Sequence, residues 1–82
     1  MNLSIIGVGH NCLDNLCTVE HYPPEDGSTH ITGISLQGGG AVATAMAAAA
    51  RLGVPSGIIG CLGDDPAGDD ILSLLRQDGV DT

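Results

Sequence analysis

Basic residues are almost absent from this sequence. Arg51 and Arg76 stand against ten acidic residues, which gives a net charge of −8. Nucleic acids and anionic membrane surfaces attract proteins through clusters of lysine and arginine, so this composition argues against both as partners. It leaves room for a phosphate group held by backbone N–H groups, because such a site needs no basic side chain.

Large aromatic side chains are also missing. The 82 residues contain no Phe and no Trp, and Tyr22 is the single aromatic residue. Much of the apolar fraction is alanine, which buries little area, and a domain of this size buries only about 60% of its unfolded surface. We therefore expect the chain to be a piece of a larger fold.

The sequence has no long apolar run and no paired cysteine motif. No segment approaches the roughly 20 residues that cross a bilayer, and residues 3–8 are too short for the core of a signal peptide. Cys12, Cys17 and Cys61 are odd in number and lack C-x-x-C spacing. We expect reduced thiols in a cytoplasmic protein, and no metal site.

Short apolar runs alternate with helical patterns along the chain. The patterns fall at residues 3–9 (strand), about 16–22 and 28–37 (a strand pair), about 40–52 (helix), about 57–62 (strand) and about 66–78 (helix). Buried strands that alternate with helices predict an α/β fold with a parallel sheet. The two predicted core strands are too few to complete such a sheet.

The most informative stretch is residues 37–53, Q-G-G-G-A-V-A-T-A-M-A-A-A-A-R-L-G. Glycines before an alanine-rich helix let a ligand approach the main chain, beside helix N–H groups that have no partner within the helix. The helix dipole is positive at the same end, which favours a polar or anionic ligand. A tight loop that leads into a well-packed helix is the alternative interpretation.

A carboxylate follows the first predicted strand in G-H-N-C-L-D. Asp14 can accept hydrogen bonds from two neighbouring hydroxyls, as a sugar or polyol site requires, and open α/β sheets bind ligands near strand ends. A turn residue that bonds its own backbone is the alternative. Cys12 stands where the dinucleotide fingerprint G-x-G-x-x-G has its third glycine, which argues against a dinucleotide site.

Two stretches together resemble a known family. G-G-A-V-A-T-A-M-A-A-A-A-R-L-G, followed by I-I-G-C-L-G-D-D-P-A-G-D-D-I-L-S-L-L-R-Q-D-G-V-D-T, is similar to the N-terminal signature of the PfkB, or ribokinase, carbohydrate kinases. G-H-N-C-L-D resembles the family's first strand with its substrate-binding aspartate. The resemblance implies a ribokinase-like α/β fold, a parallel-sheet sandwich with a small β lid, of which this chain holds the N-terminal part.

The resemblance also implies a function. Members are sugar or nucleoside kinases that transfer the γ-phosphoryl group of ATP to a substrate hydroxyl with a divalent metal. By position, Asp14 would bind substrate hydroxyls, and Gly39 and Gly40 would bring backbone to the substrate. Thr44 stands in place of the usual Asn, and Cys12 in place of a polar contact residue, so substrate recognition differs in detail. The lid strands would exclude water and can form a homodimer contact.

The family's catalytic aspartate, in a C-terminal G-A-G-D motif, has no counterpart in this sequence. We therefore expect no catalytic residue in this chain, and we expect ATP and Mg²⁺ to be bound mainly by other parts of a parent kinase. Residues 1–82 alone should be inactive. Two other hypotheses stay open: a short non-catalytic α/β binding module, and an unrelated phosphate- or nucleotide-binding fragment.

Overall fold

The structure, a computed structural model, describes residues 2–82. Its elements, in chain order, are β1 (Ile5–Val8), β2 (Cys12–Val19), β3 (Ile31–Gly39), α1 (Ala41–Arg51), β4 (Ser56–Ile59) and α2 (Pro66–Gln77). β1 and β4 form a parallel pair, and β2 and β3 form an antiparallel hairpin. Beyond α2, Asp81 forms a parallel bridge with Gly57 on β4, where it extends the parallel sheet.

Helix α1 packs very closely on the parallel sheet because Gly7 has no side chain. A Cβ atom at Gly7 would lie 2.6 Å from Val42 Cγ1 and 2.9 Å from Met46 Cγ. Met46 is buried, and its carbonyl accepts a 2.9 Å hydrogen bond from the hydroxyl of Ser56, which is also buried. The small residues of α1 therefore serve close packing as well as helix formation.

The buried core lies between the two helices and the chain that follows α2. Its members are Ala43, Met46, Ile71, Leu75 and Val80. Leu13, from β2, packs against this cluster. The hairpin is thus anchored at its base to the same core that holds the helices.

The second face of the parallel sheet is uncovered in the described residues. Ile6 is 55% exposed, Val8 71% and Ile59 60%. These side chains alternate with those that face α1, as the two-residue period of a strand requires. Parallel sheets are ordinarily covered on both faces, so three large apolar side chains here lack the layer that such a sheet normally has.

Local sequence accounts well for helix α2. Asp65 is its N-cap, and the carboxylate accepts a 2.8 Å hydrogen bond from the N–H of Gly68. Pro66 occupies the first helical position, where its missing N–H has no consequence. Gly79 follows the helix with φ 88°, a conformation that glycine adopts without steric cost.

Asp65→Ala should lower the free energy of unfolding by about 1 kcal/mol, because a helix N–H loses its acceptor. Chemical denaturation monitored by circular dichroism measures this change. Asp64→Ala is the matched control, since it removes the same charge from the adjacent exposed residue, and we expect it to stay within about 0.5 kcal/mol of the wild type. Equal losses in the two variants would contradict the cap.

The hairpin strands are displaced from their predicted positions. The strand expected at about 16–22 lies at Cys12–Val19, and the strand expected at about 28–37 lies at Ile31–Gly39. Asp and Asn disfavour strands by propensity, but pairing with β3 and the packing of Leu13 on the core override this preference. Asp14 therefore lies within a strand, where the sequence had placed it in the segment after β1.

The parallel strands are shorter than predicted, whereas α1 is one residue shorter at each end and α2 one residue shorter at its C-terminal end. β1 and β4 span four residues each, against predictions of residues 3–9 and about 57–62. A Cβ atom at Gly60 would lie 2.9 Å from the carbonyl oxygen of Gly9 and 2.6 Å from the Asn11 amide nitrogen. The segments that follow β1 and β4 thus lie very close together just beyond the last paired residues.

Candidate functional site

The register of the hairpin brings three of the predicted site residues to one place. Cys12 pairs with Gly39, and Asp14 pairs with Gln37. Because alternate residues of a strand point to the same side, Cys12 and Asp14 share a face. Leu13 points to the other side, toward the core.

Asp14 lies directly over Gly39. A Cβ atom at Gly39 would collide with Asp14 Oδ2, and it would lie 2.9 Å from Asp14 Cγ and 3.1 Å from Cys12 Sγ. Gly39 is buried, whereas Asp14 and Cys12 are half-buried. The position therefore requires glycine for steric reasons, because any side chain would displace the carboxylate.

The Cys12 thiol holds the other oxygen of the same carboxylate. Its S–H donates to Asp14 Oδ1 at 3.3 Å. This hydrogen bond, together with burial and the Asp14 charge, raises the pKa of the Cys12 thiol. Cys12 is therefore a protonated donor at neutral pH, and both carboxylate oxygens of Asp14 have defined neighbours.

The start of α1 is crossed by the loop that follows β1. Gly40 is the N-cap with φ 95°, and a Cβ atom there would lie 2.7 Å from Asn11 Cα. The carbonyl of His10 accepts a 3.1 Å hydrogen bond from the N–H of Ala43. One of the helix N–H groups that the sequence suggested for a ligand is thus already bonded. The sequence carries no signal for this contact, because it involves backbone atoms only.

A cleft of about 480 Å³ runs between α1 and α2 beside the end of β3. Cys12, Gly39 and Thr44 line the end nearest the start of α1. Arg51 and Asp78 line the far end, where the guanidinium donates hydrogen bonds of 2.9 and 2.6 Å to one carboxylate oxygen. Because the Arg51 side chain is 71% exposed, although Asp78 is half-buried, the pair contributes no more than about 1 kcal/mol to stability.

The five predicted site residues therefore fall into three arrangements. Cys12, Asp14 and Gly39 are in contact; Thr44 joins Cys12 and Gly39 on the cleft wall; and Gly40 lies against Asn11 and His10. Asp14 is not among the residues that line the cleft. We therefore centre the candidate site on the Cys12–Asp14–Gly39 corner.

Two further observations concern residues 2–82. No group of three or more His, Cys, Asp or Glu side chains is placed to hold a metal ion among them. No helix in this range is long and apolar enough to cross a membrane.

Comparison with known protein families identifies the chain's relatives. The sequence matches the family described as pfkB family carbohydrate kinase over residues 4–82, which is nearly its full length. The chain belongs to the pfkB family. The hypothesis of an unrelated phosphate-binding fragment is therefore wrong.

Curated relatives match this chain over nearly all of its length. A nucleoside kinase of Methanothermobacter thermautotrophicus is 29% identical over 77 residues, which are 94% of this chain and 25% of the relative. A 5-dehydro-2-deoxygluconokinase of Geobacillus kaustophilus is 35% identical over 80 residues, which are 98% of this chain and 23% of the relative. The chain thus spans about a quarter of the length of the curated relatives it matches.

The fold of the chain agrees with that of a solved relative. Arabidopsis thaliana ribokinase, complexed with ribose and ATP, matches with a TM-score of 0.80 and 27% sequence identity. The match covers 100% of this chain and 27% of the ribokinase. The predicted ribokinase-like α/β class is therefore confirmed, and the chain corresponds to a part of that fold.

Proposed function

We propose that residues 1–82 are the substrate-binding N-terminal part of a kinase that transfers the γ-phosphoryl group of ATP to a hydroxyl of a sugar or nucleoside. The contact between Asp14 and Gly39 is the observation that carries this proposal. A carboxylate held over the backbone of Gly39 offers strong acceptors for two adjacent hydroxyls, and the missing side chain leaves room for it there. Membership of the pfkB family supports a sugar or nucleoside as the substrate.

The other site residues have lesser roles in this proposal. Thr44 would present a single hydroxyl to the substrate from the wall of the cleft that Cys12 and Gly39 also line. Gly40 would let the backbone at the start of α1 approach the substrate. The N–H groups of Ala41 and Val42, at the first helical positions, have no partner within the helix and face the same end.

ATP and Mg²⁺ are assigned to other parts of the parent protein. The described residues do not form a metal site, and the two arginines of the chain pair with Asp78 and Thr82, away from the Asp14 corner. Phosphoryl transfer needs a base or orienting group and an anion clamp, neither of which the Asp14 corner supplies. In this proposal the chain binds and orients the acceptor hydroxyl, and the chemistry lies elsewhere.

The uncovered face of the parallel sheet favours a larger parent over a short non-catalytic module. Ile6, Val8 and Ile59 are exposed there, which a stable α/β domain would avoid.

Hydrophobic side chains on both faces of the hairpin, including Leu16 and Ile34, are exposed as well. We propose that the hairpin is a lid that can pair with a second copy, which sedimentation of the complete polypeptide would test.

An assay of the complete polypeptide that carries residues 1–82 tests the proposed function. ADP release would be followed with ATP, Mg²⁺ and a panel that contains ribose, adenosine and 5-dehydro-2-deoxygluconate. We expect phosphorylation of at least one compound, and none by residues 1–82 alone. Activity of residues 1–82 alone would contradict the assignment of the chemistry to other parts. If the protein expressed in its natural host has a mass of 8.2 kDa and binds a sugar without turnover, it is the non-catalytic module instead.

A further inference from the structure

The single S–H group of Cys12 is already engaged in a hydrogen bond within the protein. The S–H donates to Asp14 Oδ1 at 3.3 Å, and this bond helps to raise the pKa of the thiol, which stays protonated at neutral pH. A thiol has one donor, and its sulfur is only a weak acceptor. Toward any other group, Cys12 therefore behaves as a small and nearly apolar surface.

This surface faces the space that a substrate would occupy. Cys12 Sγ lies 3.1 Å from the point where a Cβ atom of Gly39 would stand, beside the carboxylate of Asp14. The side chain is half-buried, and it lines the cleft together with Gly39 and Thr44. A substrate ring that bonds Asp14 would therefore lie beside the sulfur.

We propose that Cys12 is a specificity-determining residue whose sulfur faces a substrate carbon without a hydroxyl, so that the site favours deoxy sugars over their fully hydroxylated counterparts. This inference rests on the proposed function. A hydroxyl placed against the sulfur would give up hydrogen bonds to water and receive only a weak one, whereas a C–H group gives up none. Because an apolar contact rejects an added hydroxyl only weakly to moderately, we expect a preference of about tenfold in kcat/KM.

The test compares matched substrate pairs with the complete polypeptide. The pairs are D-ribose with its 2-deoxy and 3-deoxy forms, D-glucose with its 2-deoxy and 3-deoxy forms, and adenosine with 2′-deoxyadenosine. Cys12→Ser retains a donor to Asp14 and adds a strong acceptor, so the deoxy preference should fall by about tenfold. Cys12→Ala keeps an apolar surface, so the preference should persist while kcat/KM falls for both members of a pair.

Cys17→Ser is the matched control, because Cys17 lies on the same strand, points to the opposite face and is exposed. The ratio of its kcat/KM values for deoxy and hydroxylated substrates should equal that of the wild type. If the ratio of kcat/KM for the deoxy substrate to kcat/KM for its hydroxylated counterpart is the same in wild type, Cys12→Ser and Cys12→Ala, the inference is wrong and the proposed function stands. If no pair is phosphorylated and calorimetry detects no binding of any member, the proposed function fails and the inference fails with it.

Discussion

Asp14→Asn should lower kcat/KM of the complete polypeptide for its sugar or nucleoside substrate by about 100-fold or more. The carboxylate is proposed to accept hydrogen bonds from two hydroxyls, and a hydrogen bond to a charged group is worth about 1.5–3 kcal/mol. Each 1.4 kcal/mol corresponds to about a factor of ten, so the loss of the charge at both bonds gives this magnitude. Steady-state kinetics with ADP detection measures it.

The substitution suits this test because asparagine has nearly the size of aspartate. The amide can remain over Gly39, so the packing at the base of the hairpin is retained. Asp26→Asn is the control: it removes the same charge at an exposed turn residue with φ 58°, a conformation that asparagine tolerates. We expect its kcat/KM to match the wild type. If Asp14→Asn has the kcat/KM of the wild type, the assignment of Asp14 to the substrate site is wrong.

Gly39→Ala should abolish most activity and also destabilise the protein. The added methyl group would collide with Asp14 Oδ2 and lie 3.1 Å from Cys12 Sγ, and Gly39 is buried on β3 opposite Cys12. Overpacking of this kind costs about 1–3 kcal/mol. Displacement of the carboxylate should lower kcat/KM by about 100-fold, since it removes the same hydroxyl contacts as a change at Asp14. Denaturation and kinetics measure the two effects separately.

Gly38→Ala provides a close control for this variant. A Cβ atom at Gly38 lies on the opposite face of β3, where its nearest neighbour would be Leu74 Cδ1 at 3.9 Å, an ordinary van der Waals contact. We expect near wild-type stability and kcat/KM. If alanine at 38 and alanine at 39 have the same effect, the loss reflects a general intolerance of β3 to side chains, and the specific role of Gly39 is wrong.

Local chemistry made much of the fold predictable. Asp65, Pro66 and Gly79 mark the ends of α2 through bonds and dihedral preferences that involve only a few neighbouring residues. The alanine run favours a helix by intrinsic propensity, and it became α1. Apolar runs identified both parallel strands, although not their ends, because the close approach of Gly60 to Gly9 and Asn11 is a contact between distant parts of the chain.

The hairpin shows where such reasoning stops. Asp14 and Asn15 have low strand propensity, and glycines 38 and 39 suggest a turn, yet all four lie in paired strands. The register is fixed by Leu13 on the core and by the fit of Asp14 over Gly39, neither of which has a sequence pattern. That Asp14, Gly39 and Cys12 bind a substrate stays a prediction, but their mutual contact is a feature of the fold.

The sequence by itself determined the family, the order of strands and helices, and the residue types available to the site, because these depend on composition, spacing and short-range preferences. Only the tertiary structure decided that the Cys12 thiol donates to one oxygen of Asp14, that this carboxylate lies over Gly39, and that one face of the parallel sheet lacks a cover. Asp14 and Gly39 are distant in the sequence and meet through strand register and packing, and a period-two pattern alone leaves register open.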